Sequence, residues 1–156
     1  MRERDLLIIG GGPVGLAAAI SAYEAGVKDI LIVERERHLG GILRQCIHDG
    51  FGLHKFEKAY TGPEYAHKYI TQVKDLEIPT LTDSIVIDLT RDKVATIVNE
   101  KNGMFKIKAK AVILAMGSRE RTAGAISLPG KRPAGIYTAG LAQNFMNLKN
   151  LKIGNK

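Results

Sequence analysis

The tightest constraint on this chain lies in its first 34 residues. Leu6-Leu7-Ile8-Ile9 is an unbroken apolar run, the pattern of a strand buried on both faces of a parallel sheet. A glycine turn follows at once, Gly10-Gly11-Gly12-Pro13-Val14-Gly15, then a small-residue helical stretch, Leu16-Ala17-Ala18-Ala19-Ile20, running toward Gly26. Ile30-Leu31-Ile32-Val33 is a second buried strand, so the segment reads as one βαβ unit. The turn has G-x-G-x-x-G spacing, in which Gly10 makes the tight bend, Gly12 admits a phosphate to the backbone and Gly15 lets helix pack on strand. The unpaired N–H groups at the helix start, with the positive end of its dipole, favour an anion there. Glu34 ends the second strand 22 residues after Gly12, where a carboxylate accepts hydrogen bonds from a ribose diol and repels a 2′-phosphate. Glycine turns are common, but strand, turn, helix and acid at this spacing indicate an adenine dinucleotide. They leave FAD and NAD both open.

Downstream, residues 34–60 read as a loop rich in Gly, His and Arg. Thr61 and Glu64 have capping-box spacing with Pro63 inside the first turn, and Tyr65, Tyr69, Val73 and Leu76 continue one apolar helical face as far as Pro79. From Ser84 the period changes to strand-like runs at 84–89, 94–98, 104–108 and 111–114, with Asn102-Gly103 as a hairpin signal. Val112-Ile113-Leu114 lies in a fully apolar run, which belongs back in the parallel sheet. Residues 136–138 read as a further short strand and 139–148 as a helix.

Composition narrows the function classes. The 156 residues, 45% of them hydrophobic, suit one domain with one core. The net charge of +7 comes from dispersed lysines without an RNA-binding aromatic motif or zinc-finger spacing, so no nucleic acid partner is expected. Cys46 is the sole cysteine, which excludes an internal disulfide. Residues 6–9 are too few for a signal peptide or membrane span, and a cytoplasmic protein is expected.

Two segments bear on FAD against NAD. Arg35-Glu36-Arg37-His38-Leu39-Gly40-Gly41 places a glycine pair after the acid, and Val112-Ile113-Leu114-Ala115-Met116-Gly117-Ser118 ends the returning strand in a small-residue turn. With the meander between them they resemble the FAD domain of the pyridine nucleotide–disulfide oxidoreductase superfamily, with Met116 where threonine is usual. The runs from Gly40 to His54 and from Gly135 to Gln143 narrow the likeness. They are similar to NAD(P)/FAD-dependent oxidoreductases associated with glycerol-3-phosphate dehydrogenase or with amine and opine dehydrogenase complexes. The resemblance implies an α/β FAD/NAD(P)-binding, Rossmann-like fold, a parallel sheet with an antiparallel β-meander. It implies FAD as cofactor and an oxidoreductase passing electrons between NAD(P)H and a substrate or partner. The expected cofactor-binding residues are Gly10, Gly12, Pro13, Val14, Gly15, Glu34, Arg35, Gly41, Ile42, Val86, Ala115 and Gly117. Among them the Val14 N–H faces the pyrophosphate, since Pro13 has no donor, Val86 gives a backbone contact to adenine, and catalytic residues are unassigned.

The same resemblance sets expectations for the whole chain. Residues 1–150 are the FAD-binding domain and 151–156 lead into an NAD(P)H-binding domain lying beyond them. The family's later Gly-Asp segment has no counterpart, because Thr138-Ala139-Gly140-Leu141 lacks the aspartate. Weak FAD retention is therefore expected, together with self-association or docking to a partner dehydrogenase subunit. Dithiol–disulfide chemistry is out, since it needs two thiols. A FAD-binding or electron-transfer subunit without catalysis of its own is the competing reading. A single-domain NAD-dependent dehydrogenase is disfavoured because no Tyr-x-x-x-Lys pair is present. Cys46 reads as a small buried hydrophobe in preference to a reactive thiol near the flavin, and His48, His54, Cys46 and Asp49 fit no metal spacing. His38 and His67 read as surface residues, Tyr65 and Tyr69 as core, and Arg119-Glu120-Arg121 as a solvated turn.

Overall fold

The computed structural model describes residues 2–131 and 133–155. Its elements, in chain order, are β1 (Arg2–Ile9), α1 (Pro13–Glu24), β2 (Ile30–Val33), a 3-10 segment (Gly41–Gln45) and α2 (Leu53–Phe56). They continue with α3 (Gly62–Asp75), β3 (Thr80–Leu81), β4 (Ser84–Leu89), β5 (Val94–Asn99), β6 (Gly103–Leu114) and α4 (Ala139–Asn147). One six-stranded sheet has the order β3-β2-β1-β6-β5-β4. β3, β2, β1 and β6 run parallel, whereas β5 and β4 are antiparallel.

Alternation along β1 and β2 divides the core in two. Leu6, Ile8, Ile30 and Ile32 point to one face and pack under α1 and α3 with Leu16, Ala19, Tyr69 and Val73. Leu7, Ile9, Leu31 and Val33 point to the other, where Ala95, Ile97, Ile107 and Ala109 of the meander cover them. The sheet thus curls until the Ser84 N–H donates to the Glu34 carbonyl at 3.0 Å. A second sheet half does the work that helices do on both faces of an open α/β sheet.

Helix α3 starts as expected. Thr61 Oγ1 accepts from the Glu64 N–H at 3.4 Å, and the Glu64 carboxylate accepts from the Thr61 N–H at 2.8 Å. Tyr69 is buried and its hydroxyl meets that of Tyr65 at 3.2 Å, which with burial pushes the Tyr65 phenol up to about 12.

Several expectations need correction. Runs 104–108 and 111–114 are one strand, β6, because Lys106, Lys108 and Lys110 alternate with buried Ile107 and Ala109 and never break the period of two. Its end is not core, since Leu114 is 58% exposed. Residues 136–138 form no strand; Thr138 is the N-cap of α4. Residues 34–60, read as loop, contain the 3-10 segment and α2, and the two-residue β3 was not anticipated. No helix among the described residues is long and apolar enough to cross a membrane.

Candidate functional site

The chain leaves β1 for β2 on one side while β6 returns on the other, so the strand order reverses at the carboxyl ends of β1 and β6. This is the switch point at which open α/β sheets bind ligands. The glycine turn sits there. Gly10 has φ 110°, and a Cβ on it would lie 2.3 Å from the Ala115 carbonyl oxygen. A Cβ on Gly15 would lie 1.9 Å from the Gly10 oxygen, so neither position tolerates a side chain. Gly12 differs: a Cβ there would meet only the Gly41 Cα, at 3.8 Å. Its bareness is not demanded by packing and leaves backbone open to a ligand.

Helix α1 begins immediately after. Gly12 is its N-cap, Pro13 occupies the first turn, no side chain caps the end and no acidic residue lies in the first turn. The positive end of the helix is therefore uncompensated by the protein's own groups, which suits a pyrophosphate. Val14 (65% exposed), Ile42 (61%), Leu114 (58%) and Met116 (64%) stand uncovered at this end of the sheet. Apolar side chains this exposed around a polar turn mark a surface made for a ligand or another chain.

Glu34 is 6% exposed, and its carboxylate is already engaged. Oε2 accepts from the Gly11 N–H at 2.7 Å and Oε1 from the Glu36 N–H at 2.8 Å. A carboxylate has about four lone-pair sites, so capacity remains on both oxygens for a ribose diol. Gly11 in turn accepts from the Gly40 N–H at 2.8 Å. Gly41, with φ 55°, is so close that a Cβ would lie 3.0 Å from the Gly12 Cα. Glycine turn, Glu34 and 3-10 segment therefore form one connected cradle.

Of the residues expected in the site, Gly10, Gly12, Pro13, Val14, Gly15, Glu34, Gly41, Ile42 and Ala115 converge here, with the Ala115 N–H donating to the Ile9 carbonyl at 2.8 Å. Gly117 follows at φ 70° with open space around it. Val86 lies in edge strand β4, two residues beyond the Ser84 contact to Glu34. Arg35 is exposed and turned to Glu36, with Nε 3.5 Å from its carboxylate. Cys46 is half-buried, its Sγ 3.4 Å from the Ile42 carbonyl. No group of three or more His, Cys, Asp or Glu side chains gathers as a metal site among the described residues.

Three participants escaped sequence reasoning. Gly11 and Gly40 join the cradle through their backbones, and Gly40 was half-signalled by the glycine pair. Gln45 ties the 3-10 segment to α4, a contact between side chains some hundred positions apart that no local pattern announces. The Arg119-Glu120-Arg121 stretch is exposed, as expected, but Glu120 makes a contact that was not anticipated. Glu120 accepts from the Gly140 N–H at 2.9 Å at the start of α4. Hydrogen bonds from the Thr138 side chain, then from the Gly140 and Leu141 N–H groups, hold its carboxyl below the usual range.

A parallel strand, an uncapped helix behind a glycine turn and a buried acid at the end of the next strand define a dinucleotide-binding α/β protein. The family described as pyridine nucleotide-disulphide oxidoreductase matches residues 4–152, and the chain belongs to it. Members of this family are FAD-binding flavoproteins, and FAD is the cofactor of this fold. An opine oxidase subunit of Agrobacterium tumefaciens (strain Ach5) is 30% identical over 151 residues, covering 89% of this chain and 28% of that protein. Thioredoxin reductase of Peptoclostridium acidaminophilum is 36% identical over 121 residues, covering 77% of this chain and 36% of that one. The chain thus spans well under half the length of these curated relatives. In structure it is similar to L-proline dehydrogenase from P. horikoshii, with a TM-score of 0.74 at 21% identity over 97% of this chain and 30% of that one. That likeness concerns the fold.

Proposed function

We propose that this chain is the FAD-holding part of an oxidoreductase that passes electrons between NAD(P)H and a substrate or partner. Residues 1–150 form the FAD-binding unit, and 151–156 lead toward an NAD(P)H-binding one. The observation that carries the reading is the uncapped α1 N-terminus, set beside a Gly12 that packing leaves open and a Glu34 held in place by Gly11. In this reading the Val14 N–H donates to the pyrophosphate and Glu34 accepts from the adenosine ribose. The backbone of Gly41 and Ile42 runs beside the pyrophosphate and ribityl chain. Val86 offers its backbone to adenine, and Ala115 and Gly117 close over the cofactor. Bound FAD supplies the redox chemistry. The protein's own residues bind it, orient it and, through Val14, Ile42, Leu114 and Met116, keep water from its apolar parts.

A second reading, a FAD-binding or electron-transfer subunit working with a partner chain, is favoured by one comparison. The opine oxidase relative is itself named as one subunit of its enzyme. Within these 156 residues Cys46 has no second thiol with which to exchange.

Flavin loaded into the 156-residue chain should stay oxidised with NADH and bleach with dithionite, because only one dinucleotide fingerprint is present. Adding candidate partner chains then separates the two readings. Rapid stoichiometric bleaching by NADH alone would contradict both, and a chain that binds no flavin would remove the cofactor reading.

A further inference from the structure

Helix α4 has no buried residue of its own, yet Gln45 fastens it to the 3-10 segment, while Glu120 holds its first turn. Gln45 is 6% exposed, and its amide Nε2 donates to the Gly140 carbonyl at 3.1 Å and to Gln143 Oε1 at 3.0 Å. Its Oε1 accepts from Asn144 Nδ2 at 3.0 Å, and its main-chain oxygen accepts from Asn147 Nδ2 at 2.7 Å. Every partner belongs to α4. These part-buried amide bonds hold the helix alongside its half-buried Ala142 and Phe145.

Gln45 is also the last residue of the 3-10 segment, whose other end abuts the glycine turn. Gly40 bonds to Gly11, and Gly41 lies against Gly12. Between these ends the segment has little freedom. Leu43 is 5% exposed, the Gly62 N–H donates to the Cys46 carbonyl at 2.9 Å, and a Cβ on Gly62 would lie 2.4 Å from the Leu43 oxygen. A five-residue turn pinned at both ends and wedged against α3 moves as a unit.

We propose that Gln45 is a positioning residue that couples occupancy of the dinucleotide site to the docking of α4. The inference rests on the reading that Gly41 and Ile42 line the cofactor. Releasing α4 frees the far end of the segment and lets its near end drift from the glycine turn, weakening the cofactor. By linkage, cofactor binding must tighten α4 by the same factor. The two events share a physical chain of contacts, from Glu34 through Gly11, Gly40 and Gln45 to α4, as coupling between sites requires.

The test uses the full 156-residue chain, with FAD as the probe. Gln45→Leu removes the amide at similar volume, and Asn147→Ala removes one bond from the α4 side, away from the glycine turn. FAD added to the parent should raise hydrogen-exchange protection of the α4 amides. In Gln45→Leu that protection should be lost. FAD should bind about tenfold more weakly, near the lower end of typical coupling factors. Asn147→Ala should move the same quantities in the same direction by less, and it remains informative if Gln45→Leu fails to fold. A variant with released α4 but parental FAD affinity would overturn the coupling alone. A parent that binds no FAD would overturn the functional reading and the coupling with it.

Discussion

Glu34→Ala separates the structural role of this carboxylate from the ribose-binding role proposed for it. Without ligand, Glu34 satisfies the buried Gly11 N–H and the partly buried Glu36 N–H. The Glu36 donor reaches water after truncation and costs little. The Gly11 donor does not, and an unpaired buried donor costs about 1–3 kcal/mol. At about 2–4 °C per kcal/mol for a chain this size, the apo melting midpoint should fall by roughly 2–12 °C. With FAD present the ribose loses a charge-assisted acceptor, a further ~1.5–3 kcal/mol. FAD should then bind about ten- to a hundredfold more weakly, measured well below both melting points. Glu34→Gln keeps one acceptor oxygen and should rank between parent and Ala in both assays. Differential scanning fluorimetry reads the first effect and flavin fluorescence titration the second. An unchanged apo midpoint would show that the Gly11 bond contributes nothing to the fold. An unchanged titration would take Glu34 out of the ribose site.

Gly15→Ala should fail to accumulate as folded protein, because its Cβ would sit 1.9 Å from a backbone oxygen that cannot move without dismantling the turn; a native circular dichroism spectrum and cooperative melt would refute this. Glu120 has a folded-state pKa depressed below its ordinary 4.5, so its hold on α4 is present above that value and lost as the pH falls through the folded one. The Gly140 and Leu141 amide resonances should therefore titrate on the acid side of 4.5 and lose that dependence in Glu120→Gln, and parental titration in the variant would exclude Glu120 as the cause.

The first half of the parallel sheet was legible because β1, the turn, α1 and β2 are each specified by residues next to one another in sequence. The same holds for α3, whose capping box and apolar stripe are local. Legibility failed where structure depends on partners far away. Leu114 looks like core in an apolar run, yet no element covers it. Thr80 and Leu81 become a strand only because β2 offers an edge. Ile136 and Tyr137 carry strand-like side chains but pair with no strand, and Thr138 directly after them is already the N-cap of α4. The site followed the same rule. Its glycines and Glu34 could be read from spacing, whereas the bond from Glu34 to Gly11 and the Gln45 lock are set by tertiary approach.

The central place of β1 has a consequence for how the molecule is born. Its neighbours are β2, made soon after, and β6, whose Leu114 pairs with Ile9 from 105 positions downstream. At synthesis rates of about 5–20 residues per second, β1 waits on the order of 5–20 s with one ladder edge empty. That edge belongs to Leu6-Leu7-Ile8-Ile9, a segment apt to pair with any strand it meets. The nascent chain therefore depends on slow, long-range closure during folding, with β1 the segment exposed longest before its second neighbour is made.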